Sequence, residues 1–222
     1  MSGTSFQASP TDLPATLPIF PLAGVLLLPR GRLPLNIFEP RYLEMTRDAL
    51  AGDRLIGMVQ PTAEEQPGRP PPIYKTGCAG RITQFSETDD GRFLITLTGV
   101  ARFAVSEEVP SARGYRRIVP SWTPYRGDLE ESAGATIDRP RLLAALRGFF
   151  KLHEITADWE AIKSTADERL VTSLAMICPF SASEKQALLE AADLGERARL
   201  LIALIEMAAL HRAPDGGEAA RH

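Results

Sequence analysis

The sequence predicts an α+β protein: a curled, irregular β-sheet carrying one helix, followed by a C-terminal helical bundle. Three observations lead there. The apolar stretch Leu17–Met45 is interrupted by Pro18, Pro21, Pro29, Pro34 and Pro40. Proline removes a ladder donor and breaks helices, so such a stretch reads as short edge or irregular strands. Asp89-Asp90-Gly91 lies between two β-rich runs, a strong local hairpin signal. After about residue 136 only helical periodicities remain.

The elements follow in order. Residues 1–15 are small and polar and read as a flexible tail. "PIFPL" and "GVLLLP" read as short strands bounded by Pro and Gly. "PRYLEMTRDALAG" reads as a helix of about three turns, with Pro40 at its first position and Gly52 as a left-handed stop. "RLIGMVQ" is a strand, and the Pro-rich 61–72 an exposed loop. Beyond the hairpin, Phe93, Ile95 and Leu97 alternate with Leu94, Thr96 and Thr98, which predicts a one-sided strand. Gly99 interrupts it and suggests a bulge or bend. "YRRIVPSWTPY" reads as the strand that closes the sheet, with Pro120 and Pro124 marking an edge. In the C-terminal part, Leu142, Leu143, Leu146, Phe149 and Phe150 recur at helical spacing. Capping-box spacings then appear at Thr165–Glu168, Ser181–Glu184 and Asp193–Glu196, each placing an acid at the positive end of a helix. About four helices are expected over 137–212, and 213–222 reads as a second flexible tail.

The whole chain sets bounds. Its 222 residues are 44% apolar, with a net charge of −3, which suits a globular core and argues against a strongly basic nucleic-acid binder. Cys78 and Cys178 are a hundred residues apart in sequence, so packed, reduced thiols are expected rather than a disulfide framework or a zinc site. No secretory leader or bilayer-length apolar run is apparent, and a cytoplasmic protein is expected.

Catalytic signatures are missing. There is no G-x-x-x-x-G-K-[ST], no G-x-S-x-G and no H-E-x-x-H. His153, His211 and His222 are scattered and read as surface or capping residues; no metal and no cofactor are expected. Asp128, Glu130 and Glu131 read as a solvated polar linker rather than an acid/base pair. Arg113, Arg116, Arg117 and Arg126 form a modest basic cluster, weighed as an ordinary mixed-charge surface against an RNA or phosphate contact.

The residues also resemble a family. "LPIFPLAGVLLLPRGRLPLNIFEPRYLEM" resembles the opening of the Lon protease N-terminal domain, and "FEPRY" looks like its stand-alone bacterial members. "YKTGCAGRITQFSETDDGRFLITLTGVARFAV" and "PFSASEKQALLEAADLGERARLLIALIE" are similar to the blocks that follow. The resemblance covers roughly residues 17–210. It implies a PUA-like β pseudo-barrel over 16–126, followed by the helices, and a role in engaging protein substrates. The ATPase and protease domains of full Lon proteases have no counterpart in these residues, so no enzymatic activity is expected.

Three functional readings follow. The first is a non-catalytic module that binds unfolded or client polypeptides, as an adaptor or modulator of proteolysis. It needs an exposed apolar groove or a free sheet edge. Phe38, Arg41 and Tyr42 at the strand–helix junction, with Phe85 and Phe103 on the hairpin, are the candidate contacts. Tyr42, Phe85 and Phe103 are also residues that a core takes up, and Arg41 has Glu44 and Asp48 as possible helical partners. The second reading is an RNA-binding PUA-like protein, which needs a basic stripe through Arg81, Arg102 and Arg116. The third is a small-molecule pocket at the junction of barrel and bundle.

Overall fold

The computed structural model describes residues 13–64, 70–110, 113–130, 136–152 and 154–211. The expected tails fall outside these residues except for 13–15, as does His153. The chain forms two compact units, one of Met1–Gly134 with Thr172–Glu190 and one of Ala135–Val171 with Ala191–His222.

Among the described residues the first unit holds a six-stranded sheet: β1 (Leu17–Pro21), β2 (Arg32–Ile37), β3 (Leu55–Val59), β4 (Thr76–Glu87), β5 (Phe93–Val109) and β6 (Arg116–Ser121). The strand order is β2-β5-β4-β3-β1-β6, and a further β5–β6 pairing closes the ring. One long strand makes closure possible. The start of β5 pairs with β2 (Phe93↔Ile37), its end with β6 (Val109↔Arg117), and β4 runs along most of it. Phe93, Ile95 and Leu97 are buried while Leu94 is exposed, as the alternation predicts. Inside the ring Leu17, Ile19, Leu55, Val59, Ala79, Phe103 and Ile118 form one cluster.

Glycine governs the bend. Between the pairs Ala79↔Ala101 and Gly80↔Gly99 the register shifts by one residue on β5, the bulge expected there. Gly99 N–H donates to the Gly31 carbonyl at 2.8 Å, and its own carbonyl accepts from Arg30 N–H at 2.8 Å. An added Cβ at Gly99 would lie 2.0 Å from the Leu28 carbonyl oxygen.

Several local expectations are corrected. "GVLLLP" is not a strand: Leu26, Leu27 and Leu28 are buried in irregular backbone. Its amide Gly24 N–H finds a partner in the Gln60 side chain at 3.1 Å instead of a ladder. The helix α1 (Pro40–Ala51) has Pro40 at its start, but Gly52 has φ −116°, outside the left-handed region. Arg54, at φ 59°, takes that conformation, and its N–H donates to the Ala49 carbonyl. Pro120 is not at an edge. β6 pairs with β1 and β5, and Pro120 sits beside the register shift between Val105 and Glu107. Pro124 lies in a 3-10 segment, Thr123–Leu129.

Among the described residues five α-helices follow: α2 (Arg139–Leu152), α3 (Trp159–Ser164), α4 (Asp167–Ile177), α5 (Ala182–Glu190) and α6 (Leu194–His211). At α5 the capping box is complete: Ser181 N–H donates to Glu184 Oε2 at 2.7 Å and Glu184 N–H to Ser181 Oγ at 3.3 Å. At α6, Glu196 N–H donates to Asp193, while the Glu196 carboxylate reaches back one residue further, to Ala192 N–H. Thr165 departs from the expectation. Its hydroxyl donates to the Ala161 carbonyl at 2.7 Å, closing the end of α3.

In the second unit α2 packs on α6, with Leu142, Leu146, Leu201 and Ile205 fully or almost fully buried. Arg139 donates to the Ile162, Lys163 and Thr165 carbonyls and pairs with Asp167. In the first unit α5 is tied to the barrel. Gln186 donates to the Thr76 carbonyl at 3.1 Å, and Gln60 donates to the Ala182 carbonyl at 2.8 Å. The Lys185 ammonium donates to the carbonyls of Gly24 and Met176.

Cys78 and Cys178 are buried free thiols. Burial pushes the Cys178 thiol up to about 11 from 9.0, partly offset by the Lys185 ammonium. The folded state therefore holds this proton more tightly than the unfolded chain. The resulting stability is present below about pH 9 and is lost as pH rises to about 11. Urea unfolding should show this fall in the wild type and a shallower one in Cys178→Ala. Equal slopes in the two proteins would refute it.

Candidate functional site

The end of β1, the end of β2 and the start of α1 converge on one groove of about 610 Å³. Its floor is aromatic. The Phe20 and Tyr42 rings lie 4.1 Å apart at 35°, and Tyr42 is only 6% exposed. Pro21, Leu22, Leu35 and Pro71 add apolar wall. Phe38 stands at the rim with 62% of its surface in solvent. Local sequence explains this placement. Ile37 is buried, and successive strand residues face opposite ways. Pro40 then starts α1, so Phe38 is turned outward on a short, fixed connection.

Two ion pairs flank the groove, and the Glu64 carboxylate also lines it. Arg41 bonds Glu39 at 3.0 Å and lies 4.7 Å from the Tyr42 ring centre, rather than pairing as expected along α1. Arg116 makes a two-pronged contact with Glu108, both bonds 2.7 Å, and donates to the Pro71 carbonyl. That guanidinium holds the Glu108 carboxyl below its ordinary range, against the opposing effect of burial. The groove therefore presents apolar surface and little net charge. β2 borders it as the free edge of the sheet, but Pro34 sits mid-strand and has no N–H. A partner strand would find this edge interrupted.

Of the residues singled out from sequence, Phe38, Arg41 and Tyr42 come together here. Phe85 does not. It is 44% exposed and packs edge-on against Phe93, with ring centres 5.0 Å apart. Phe103 is 0% exposed, inside the barrel core against Trp122, so no partner can reach it. Gly57 and Gly77 make its space: a Cβ on either would approach its ring within 3.0 Å. Sequence reasoning missed Phe20, Leu35 and Tyr115, because a groove assembled from strand ends has no local pattern. The Arg81–Arg102–Arg116 stripe does not form. Arg102 is buried against Asp128 and Arg116 is engaged with Glu108. Among the described residues no group of three or more His, Cys, Asp or Glu could hold a metal ion, and no helix is long and apolar enough to cross a membrane.

The first unit is thus a closed barrel with a lateral aromatic groove. Residues 16–207 match the family model of the ATP-dependent protease La (LON) substrate-binding domain, and the chain belongs to this family. It is 28% identical over 200 residues to Lon protease 2 of Myxococcus xanthus, covering 87% of this chain and 24% of that protein. The Lon protease of Dictyoglomus thermophilum is 27% identical over 194 residues, covering 84% and 24% respectively. The chain thus spans about a quarter of the length of these relatives. Among solved structures, a Lon N-terminal domain protein from Xanthomonas campestris aligns with TM-score 0.59 and 25% identity, covering 85% of this chain and 97% of that one. The N-terminal domain of a Mycobacterium avium complex Lon protease shares the fold, with TM-score 0.55 at 15% identity over 86% of this chain and 97% of that one.

Proposed function

We propose that this chain is a non-catalytic, cytoplasmic module that binds exposed apolar segments of unfolded or client proteins, serving proteolysis as an adaptor or modulator. The observation that carries this reading is Phe38, a large aromatic 62% exposed at the rim of an apolar groove flanked by the ion pairs Arg41–Glu39 and Arg116–Glu108. Large apolar surface held in water at a concave site marks a binding surface. The interruption of β2 by Pro34 favours capture by side chains over strand addition. Membership of the substrate-binding family supports the same reading, and the names of its relatives supply the link to proteolysis.

The test is anisotropy of a fluorescently labelled, permanently unfolded polypeptide. Phe38→Ser should weaken binding by at least about tenfold, as truncating an aromatic anchor does. The melting temperature should stay close to wild type, because the side chain supports no core. Wild-type affinity in Phe38→Ser would refute the groove as the binding surface.

A further inference from the structure

A second pocket of about 610 Å³ lies in the same unit, walled by Thr16, Asp48, Asp53, Arg113, Tyr115 and Arg117. Both oxygens of its carboxylate Asp48 have a partner: Tyr115 Oη donates to Oδ2 at 2.7 Å and Arg113 donates to Oδ1. Asp53 is exposed at the margin. Arg117 is different. It is half-buried, Nη2 donates to the Thr16 hydroxyl at 2.6 Å, and Nε is buried with no partner. No carboxylate of the described residues pairs with it, and Nη1 has neither a bond nor a buried position. A guanidinium is always charged and has five donors. Half-buried with one neutral partner, it lacks the counter-charge that such groups ordinarily have.

We infer that this pocket is an oxyanion site, with Arg117 as its anchor and the Thr16 hydroxyl and Arg113 beside it, suited to a carboxylate or phosphate group. Arg117 supplies the charge and a free donor at Nη1. Arg113, its side chain 62% exposed, lines the same pocket. Tyr115 lines this pocket and the groove described above, so an acidic group on a segment lying in that groove is within the same neighbourhood. The inference itself does not depend on that segment, because the pocket and its unpaired cation stand alone.

The test uses three probes on the full chain: inorganic phosphate, a short N-acetylated peptide without ionisable side chains but with a free C-terminal carboxylate, and the same peptide amidated. The readout is the Arg117 Nε–Hε resonance together with the β6 amides. The expected result is a saturable shift with the carboxylate or the phosphate, and at least about tenfold weaker binding of the amide, the usual scale for a charge-assisted bond. The tighter of the two oxyanions identifies the ligand's source. Arg117→Met should abolish the shift of the β6 amides, and Arg117→Lys should retain part of it, with the rest of the amide spectrum unchanged in both. Absence of any shift in the wild type would overturn the inference. So would equal binding of amide and carboxylate, or a response that survives in Arg117→Met.

Discussion

Asp128→Ala should lower the stability of the barrel unit by about 3–5 kcal/mol, the cost of leaving a buried charge without its partner. Arg102 and Asp128 are 5% and 10% exposed. Asp128 accepts from Arg102 Nε at 2.9 Å, from Nη2 at 2.8 Å and from the Arg102 backbone N–H at 2.9 Å. Burial alone would lower the Arg102 pKa, but the Asp128 carboxylate outweighs it and the net shift is upward. The guanidinium also donates from Nη1 to the Leu189 carbonyl at 3.0 Å and lies 4.5 Å from the Tyr125 ring centre. One side chain thus joins β5, the 3-10 segment and the end of α5. Removing the carboxylate strands a cation under all three. The double replacement Arg102→Met with Asp128→Leu should recover much of the loss, because no charge remains buried. Chemical denaturation followed by circular dichroism decides. A loss below about 1 kcal/mol in Asp128→Ala, the range of surface pairs, would contradict this role.

Gly99→Ala should cost a comparable amount, about 3 kcal/mol or more, although it adds a single methyl. The new Cβ would lie 2.0 Å from the Leu28 carbonyl oxygen and 2.7 Å from its carbon. Both are backbone atoms, so no side chain can swing aside. Relief requires moving the 28–31 turn off β5, which breaks the two 2.8 Å bonds that Gly99 makes with Arg30 and Gly31. Overpacking alone costs about 1–3 kcal/mol, and each lost hydrogen bond adds about 1 kcal/mol. A denaturation midpoint equal to wild type would show that the turn is free to move and that the bulge does not depend on glycine.

These two sites mark where the sequence could be read and where it could not. Gly99 was visible because it breaks an alternation set by Phe93, Ile95 and Leu97, and a break in a period-2 pattern has few structural meanings. The hairpin at Asp90-Gly91 and the box at Ser181–Glu184 were legible for the same reason, since each is a local pattern with a local cause. Asp128 was not. In sequence it belongs to an acidic, polar stretch that reads as solvated, and its partner lies 26 residues away. Of the two readings open for Phe103, contact or core, the choice rests on Gly57 and Gly77, which come from other strands. In the groove, Phe38, Arg41 and Tyr42 were accessible as one contiguous junction. Phe20 and Tyr115 come from elements distant in sequence, and Leu35 from within β2.

The most direct test of the binding role is a titration of isotope-labelled protein with a permanently unfolded polypeptide, watched by amide shifts, with the same polypeptide in a folded form as control. Saturable shifts at Leu35–Tyr42, Leu22 and Tyr115, with the unfolded partner only, are the expected result. No shifts at high micromolar partner, or shifts that avoid this groove, would contradict the account.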